Sequence, residues 1–218
     1  VTTLTYDALG RKTAMSDPDM GQWNYQYDAA GNLIGQTDAR GCITTLSYDP
    51  LNRLTGKTYA GPGGCDSTPD VTFSYDDITN GNKGIGRRTG MTDPTTGSSS
   101  WTYDYLGRMT SETHTVSGAS GSITFSRTYD LLGRVTTTTY PSPTNEVVHQ
   151  SYAQGLPQTL YAGAASYVTQ ALYNPAGQMT QLTLGNGVTS TFSYDAYNRL
   201  QDLLHQNTPG QLAHYTYA

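Results

Sequence analysis

The side chains that most often do chemistry in proteins are sparse in this chain and are not grouped. The four histidines fall among Thr-rich segments, without the spacing of a Ser-His-Asp hydrolase or of a metal site; they are His114, His149, His205 and His214. The glycine-rich stretch 81–86 lacks the Lys-Ser/Thr pair of a phosphate-binding loop and precedes no predicted helix. We therefore expect no catalytic residues, no cofactor and no metal site.

The two cysteines lie in glycine-containing segments, 23 residues apart in the sequence. Cys42 follows Arg40-Gly41, and Cys65 follows two glycines. One interpretation is a disulfide in an oxidising compartment, worth about 3 kcal/mol for a loop of this length. The other is two unconnected thiols, and the sequence does not decide between them. A zinc site is not indicated, because there is no C-x-x-C pair and no nearby histidine.

The composition favours strands and turns over helices. Apolar residues make up 35% of the chain even with its 18 tyrosines counted, against about 45–50% in an average globular protein. Charged residues are 13%, about half the usual share, and Thr, Ser, Gly and Asn replace them. The sequence therefore predicts an almost all-β protein in which aromatic rings do much of the packing.

The charge and hydropathy patterns exclude two classes of partner. A net charge of −5 and a pI near 5.1 without a basic cluster argue against a nucleic-acid binder. No apolar run approaches the eighteen or so residues of a membrane span. The first six residues are not typical of a signal peptide, so we expect any export signal to lie outside this segment.

A Tyr-Asp pair, once Tyr-Asn, followed by Gly or Asn three residues after the Asp recurs along the chain. The clearest copies begin at Tyr6, Tyr27, Tyr48, Tyr103, Tyr129, Tyr173 and Tyr194, and degenerate copies begin at Tyr75 and Tyr152. Successive tyrosines lie 21–28 residues apart, and the longer steps contain Gly-rich insertions. Residues 1–218 are thus predicted to be about ten repeats.

Each repeat is predicted to be a β-hairpin. The residues before the tyrosine alternate with a period of two, as in Trp23, Tyr25 and Tyr27, which indicates a half-buried strand. The interchange of Gly and Asn after the Asp indicates turn residues at positive φ. These predicted turn residues are Gly10, Gly31, Asn52, Gly107, Gly133, Gly177 and Asn198. A Thr-rich return strand and a second turn complete the unit, so the chain is predicted to be an antiparallel meander.

These Tyr-Asp-x-x-Gly-Arg units resemble the RHS/YD-repeat family over essentially the whole chain. The resemblance implies a β-spiral of tandem hairpins, as in the shells of bacterial insecticidal toxin complexes, RHS polymorphic toxins and animal teneurins. It further implies that the chain is a fragment of a larger, secreted or cell-surface and bacterial RHS-type protein, whose remainder is its partner.

The self-cleaving core region of bacterial RHS proteins is not found in this segment. Asp-Pro pairs occur at Asp17, Asp49 and Asp93, but all three fit turns. About twenty strands at roughly 4.8 Å each would close into a tube about 30 Å across, too narrow to hold a further domain. We therefore expect any cargo chamber to need more repeats.

Two sets of side chains have both a structural and a binding interpretation. Arginines after the turns, such as Arg11 and Arg53, could form a ladder for anionic glycans or lipids, but pairing with Asp or stacking on a neighbouring Tyr is favoured. Aromatic rows could stack on sugars, with Trp23, Trp101 and Tyr105 as the predicted glycan contacts, although packing between repeats is favoured.

The sequence thus favours a non-catalytic wall or stalk of an RHS-type shell. Two alternatives remain open. One is an adhesion module that binds cell-surface glycans. The other is a fibre subunit that associates with itself through strand edges left unpaired at both ends of the chain.

Overall fold

The computed structural model describes residues 1–63, 65–207 and 210–217. These residues form nineteen β-strands and two short 3-10 helices, Cys65–Ser67 and Thr79–Gly81. The chain divides into two compact units, Val1–Ile123 and Thr124–Ala218. Among the described residues, no helix has the length and apolar character needed to cross a bilayer.

The first unit is an antiparallel meander in which each strand pairs with the next along the chain. Its strands are β1 (Thr3–Tyr6), β2 (Lys12–Asp17), β3 (Gly21–Tyr27), β4 (Leu33–Thr37), β5 (Ile43–Tyr48), β6 (Leu54–Ala60), β7 (Val71–Tyr75), β8 (Arg88–Asp93), β9 (Gly97–Tyr103) and β10 (Met109–Val116).

The second unit has the same sequential antiparallel pairing. Its strands are β11 (Ser122–Tyr129, beginning just before the boundary), β12 (Val135–Thr139), β13 (Val147–Ala153), β14 (Leu156–Ala162), β15 (Ala165–Tyr173), β16 (Met179–Leu184), β17 (Thr189–Tyr194), β18 (Leu200–Asn207) and β19 (Gly210–Thr216). The prediction of an all-β chain of tandem antiparallel hairpins is confirmed.

Every repeat tyrosine that ends a strand lies beside a β-bulge. In β5 and β6, Ser47 pairs with Gly56 and Tyr48 pairs with Leu54, so Thr55 is the extra residue. The same shift occurs in β1 at Tyr6 and in β17 at Tyr194. A bulge bends its strand and adds local twist, so each hairpin carries the same local distortion at the same point of its sequence.

Neither unit has a conventional hydrophobic core. The buried apolar residues in the described part of the chain are Cys65, Trp101 and Ala171, and no described side chain is less than 2% exposed. In β3, half-buried Trp23 and Tyr25 alternate with exposed Gln22 and Asn24, so one face of this strand is aromatic and the other polar. Cohesion must therefore come from the backbone ladders and from contacts between successive hairpins.

All seven predicted turn residues have φ between 60° and 89°. Asn52 and Asn198 have φ of 60° and 63°, while the five glycines have larger values. This left-handed region is open to Gly and tolerable for Asn but costs other residues energy. That difference explains why the two residue types interchange at this position.

We expect Gly133→Val to lower the free energy of unfolding by about 1–2 kcal/mol, because φ at this position is +83° and a β-branched residue is strained there. Gly133→Asn should cost only a few tenths of a kcal/mol. Urea unfolding followed by circular dichroism measures both. Leu131→Val, which places valine in the same turn at a fully exposed residue without a positive φ, is the matched control. An equal loss of stability in all three variants would show that the positive φ of Gly133 is not the cause.

The two degenerate copies reach the same hairpin geometry by other turns. After Tyr152, Gln154 and Gly155 both have positive φ and form a two-residue connection between Ala153 and Leu156, the pattern of a type I′ turn. After Tyr75, an insertion separates Asp76 from Arg87, whose carbonyl still accepts a hydrogen bond from the Asp76 N–H at 3.1 Å. The hydrogen bonding between β7 and β8 thus continues to the ends of both strands despite the inserted residues.

Candidate functional site

The repeated Tyr-Asp turn is the element in which polar side chains are most densely organised. In the turn after β5, the Asp49 N–H donates to the Arg53 carbonyl at 3.0 Å, and the Asn52 N–H donates to the Asp49 carbonyl at 2.9 Å. The Asp49 carboxylate accepts the N–H groups of Leu51 and Arg53 through Oδ1, each at 2.9 Å. Its Oδ2 accepts from Arg53 Nε at 2.7 Å. One aspartate therefore holds the whole turn.

The carboxylates of these turns have lowered pKa values. For Asp7, Asp49, Asp130 and Asp195 the largest cause is the hydrogen bond from the backbone N–H of the arginine four residues on, and the arginine side chain adds to it. A pKa that is lower in the folded than in the unfolded chain means that the ionised form stabilises the fold. This stabilisation is present above the unfolded pKa and is lost as the pH falls through the folded pKa.

We expect the melting temperature to be nearly constant from pH 7 to about pH 5 and to fall below about pH 4. There the same carboxylates, which have an ordinary pKa of 3.8 in the unfolded chain, bind protons in the unfolded chain before they do so in the folded one. Thermal unfolding followed by circular dichroism across this range measures the effect. Asp49→Asn should lower the melting temperature at pH 7 more than at pH 2.5. Asp19→Asn, outside the Tyr-Asp turns, should leave the melting temperature unchanged at both pH values. A melting temperature that rises on acidification would contradict the expectation.

The tyrosines of seven repeats are bonded to the repeat before them. The Tyr48 hydroxyl donates to the Leu33 carbonyl at 2.9 Å, and the Tyr75 hydroxyl donates to the Leu54 carbonyl at 2.8 Å. The other pairs that follow this rule are Tyr27 with Lys12, Tyr103 with Arg88, Tyr152 with Val135, Tyr173 with Pro157 and Tyr194 with Met179. Burial, and to a lesser degree the Asp28 carboxylate, raises the pKa of Tyr48, which keeps its hydroxyl a donor.

The arginine after the turn reaches forward to the next repeat. Arg53 forms ion pairs with Asp49 at 2.7 Å and with Asp76 of the next hairpin at 2.6 Å, and its guanidinium lies 4.4 Å from the centre of the Tyr75 ring. Arg11 likewise donates to the Asp28 carbonyl at 3.1 Å. The interpretation of the arginines as links between hairpins, rather than as a free ladder, is therefore confirmed for these two residues.

Together these contacts form what we term the inter-repeat clamp: the tyrosine hydroxyl bonded to the preceding hairpin and the arginine extended to the following one. A ring stacked under a guanidinium gains cation–π attraction, and the charge-assisted hydrogen bonds orient both groups. This arrangement joins successive hairpins.

The cysteines lie close enough to bond. In the structure a disulfide joins Cys42, in the turn after β4, to Cys65, with the Cα atoms 5.4 Å apart. Glycines allow these two segments to meet, because a Cβ on Gly61 would lie 2.6 Å from the Gly41 carbonyl oxygen. The bond would therefore connect the β4–β5 turn to the segment that follows β6.

The three predicted glycan contacts differ in accessibility. Trp101 is only 9% exposed, and the Arg88 guanidinium lies 4.8 Å from its ring centre, so its face is not accessible to a sugar. The prediction for Trp101 is wrong for this reason. Tyr105 is 86% exposed with Lys83 Nζ over its ring. Trp23 is half-buried and borders a cleft. The latter two remain candidates.

Strand pairing brings together a serine, a histidine and a glutamate that their sequence spacing did not reveal. Ser99 Oγ lies 2.8 Å from His114 Nδ1, and Glu112 Oε1 lies 3.0 Å from His114 Nε2. Ser99 pairs with His114 and Met91 on either side, so it lies within the ladder and not at a turn with free backbone donors. An acyl-transfer site needs such donors for its oxyanion, and we therefore interpret the group as a cross-strand network.

Sequence reasoning also missed a polar side chain in the insertion after Tyr75. Asn82 is 4% exposed; its amide donates to the Trp101 carbonyl at 3.3 Å, and its oxygen accepts the Tyr103 N–H at 2.8 Å. The insertion thus adds a partner for the backbone of β9. The only available sequence signal was the recurrence of Asn among the glycines of this loop.

The RHS Repeat family model matches residues 25–63, 84–120 and 173–213, more than half of the chain. The chain belongs to the RHS repeat family. The resemblance carried by its Tyr-Asp turns is thereby confirmed. A curated relative, the "Double-stranded DNA deaminase toxin A" of Burkholderia cenocepacia strain H111, is 47% identical over 62 residues, and the match covers 24% of this chain and 4% of that protein.

Two solved structures of similar fold are those of TcdB2-TccC3 and of a Tc holotoxin pore. The crystal structure of TcdB2-TccC3 aligns with all of the chain at a TM-score of 0.84 and 18% identity, and the match covers 12% of that chain. The Tc holotoxin pore of Photorhabdus luminescens aligns at a TM-score of 0.81 and 17% identity, again over 12% of its chain. At this identity the likeness shows the shared fold, and this RHS repeat chain spans a small part of each relative.

Proposed function

We propose that this RHS repeat chain is a non-catalytic wall segment of an extracellular bacterial shell, and that the rest of the parent polypeptide completes the wall and carries an effector. The observation that carries the proposal is the alignment of the whole chain with 12% of TcdB2-TccC3. This share agrees with the expectation that a cargo chamber needs more repeats than this chain has, since one such segment is too small to enclose a folded domain.

The internal structure supports a mechanical role. The clamps join successive hairpins, and the described residues form sheet without a packed core, as expected of repeats that contact only their neighbours. The 62-residue match to a protein named as a toxin supports a parent protein that carries an effector. The nature of that effector does not follow from this match, because it covers 4% of the relative.

The test is made on the complete parent protein. We expect electron cryomicroscopy to place residues 1–218 in a continuous wall around a cavity, and we expect the downstream effector to resist added protease. A variant carrying Tyr48→Phe, Tyr75→Phe and Tyr103→Phe should expose the effector to protease, whereas Tyr6→Phe should not. Hairpins that project away from the particle, or an effector that is digested at once in the native protein, would overturn the proposal.

Adhesion to glycans is the second candidate, favoured by the 86% exposure of Tyr105. A glycan array probed with the chain should show binding that is lost with Tyr105→Ala and retained with Tyr140→Ala. A fibre built through strand edges is the third candidate. Electron microscopy and light scattering over a concentration series distinguish it, because filaments would support a fibre and concentration-independent single particles would exclude it.

A further inference from the structure

A cleft on the aromatic face of the first unit is not explained by the clamps. Its volume is about 390 Å³, and its lining includes Trp23, Gln36, Thr44, Tyr59 and the Cys42–Cys65 disulfide. Small-molecule sites in proteins are typically about 300–1,000 Å³. The cleft is thus large enough for one small ligand, and the inter-repeat clamps do not require it.

Strand register explains why these side chains meet. Tyr25 pairs with Gln36, Gln36 pairs with Thr44, and Thr44 pairs with Tyr59, so four successive strands contribute one row on the same face. Trp23 lies two residues before Tyr25 and therefore on that face too. The polar residues Gln36 and Thr44 form the floor, with aromatic side chains on both sides.

The aromatic wall is held in place. The Trp23 indole donates to the Met20 carbonyl at 3.1 Å, and its ring stacks on Tyr25 with 6.5 Å between centroids and 18° between planes. Two further contacts border the cleft: Gly61 packs against Gly41, and the disulfide joins Cys42 to Cys65. A ligand would therefore meet a preformed surface, which lowers the entropic cost of binding.

The floor offers uncharged hydrogen-bonding groups. The side chains of Gln36, Thr44 and Tyr59 form no hydrogen bonds with the described residues. The charged group beside them is already neutralised, because Asp38 accepts from Arg40 Nε at 2.9 Å and from Arg40 Nη2 at 2.7 Å. The cleft thus presents amide and hydroxyl partners without a free charge.

From this arrangement we infer that the cleft bordered by Trp23, Gln36, Thr44 and Tyr59 binds a neutral pyranose ring. A flat apolar ring face packs on the indole, and the sugar hydroxyls exchange hydrogen bonds with the amide and hydroxyls of the floor. A peptide fits less well, because β4 and β5 are interior strands whose backbone groups are used in the ladders, and strand addition needs an exposed edge.

The test is a titration of the whole chain with methyl glucopyranoside, methyl galactopyranoside and methyl N-acetylglucosaminide. Saturation-transfer difference NMR measures the binding of each probe. We expect at least one of these probes to bind at millimolar concentration. Trp23→Ala should weaken binding about tenfold or more, and Gln36→Ala should weaken it about fivefold to tenfold. The comparison probes are glucuronic acid and a neutral tripeptide.

Two control variants isolate the cleft. Gln22→Ala changes the exposed residue next to Trp23 on the opposite face of β3, and Trp101→Phe changes the other tryptophan; neither should alter the affinity. Circular dichroism confirms folding of each variant, and Gln36→Ala keeps the test valid if Trp23→Ala unfolds. The inference is overturned if none of the pyranosides binds, if Gln36→Ala and Gln22→Ala have equal affinities, or if glucuronic acid or the tripeptide binds more tightly than every pyranoside.

Discussion

Replacement of Tyr48 with alanine is expected to lower the free energy of unfolding by about 2–3 kcal/mol, because it removes a half-buried ring and the hydroxyl that bonds the Leu33 carbonyl. Tyr48→Phe keeps the ring and should cost about 1 kcal/mol. Urea unfolding measures both losses, and amide hydrogen exchange should show the largest change in β4 and β5.

Tyr6→Phe is the control, because the Tyr6 hydroxyl has no hydrogen-bond partner among the described residues and the side chain is 54% exposed. It should leave stability unchanged to within about 0.5 kcal/mol. If Tyr6→Phe and Tyr48→Phe were equally costly, the hydroxyl bond would not be what joins the hairpins.

The second large effect is expected at the cysteines. Reduction of the chain, or the double change of Cys42→Ser and Cys65→Ser, should lower the free energy of unfolding by about 3 kcal/mol, since the bond closes a loop of 23 residues. The loss should appear first as faster hydrogen exchange in the β4–β5 turn. Urea unfolding with and without a phosphine reductant measures the change.

The double serine variant, treated with the same reductant, is the control and should show no further loss. Thiol titration of the denatured, unreduced chain tests the bond directly and should detect no free thiol. Two titratable thiols, together with a stability that does not respond to reductant, would show that the cysteines are unconnected.

The hairpin architecture was predictable because its signals are local. The two-residue alternation before Tyr48 predicts a half-buried strand, and the exchange of Gly31 for Asn52 at equivalent positions predicts positive φ without knowledge of any distant residue. Both features depend only on steric limits within a few residues. The family resemblance followed from the same local pattern.

The contacts between hairpins were not predictable in the same way, because they depend on register. The alternation placed Trp101 on the aromatic face but did not show that Arg88 of the adjacent strand covers its ring. Likewise, the Ser99 and His114 side chains meet through the pairing of β9 with β10, across a turn whose length sets the register. The cleft beside Trp23 arises from four strands and is still less visible in the sequence.

The direction of the tyrosine bonds has a consequence for how the chain is made. Each of the seven tyrosine hydroxyls that join successive repeats donates to a carbonyl of the preceding hairpin, as Tyr75 does to Leu54, so in these pairs the acceptor leaves the ribosome before its donor. The contacts between neighbouring hairpins can therefore form in the order in which the hairpins are synthesised. Each hairpin completed during translation becomes a template on which the next can dock, and the sheet can grow from its N-terminal end without waiting for the rest of the polypeptide.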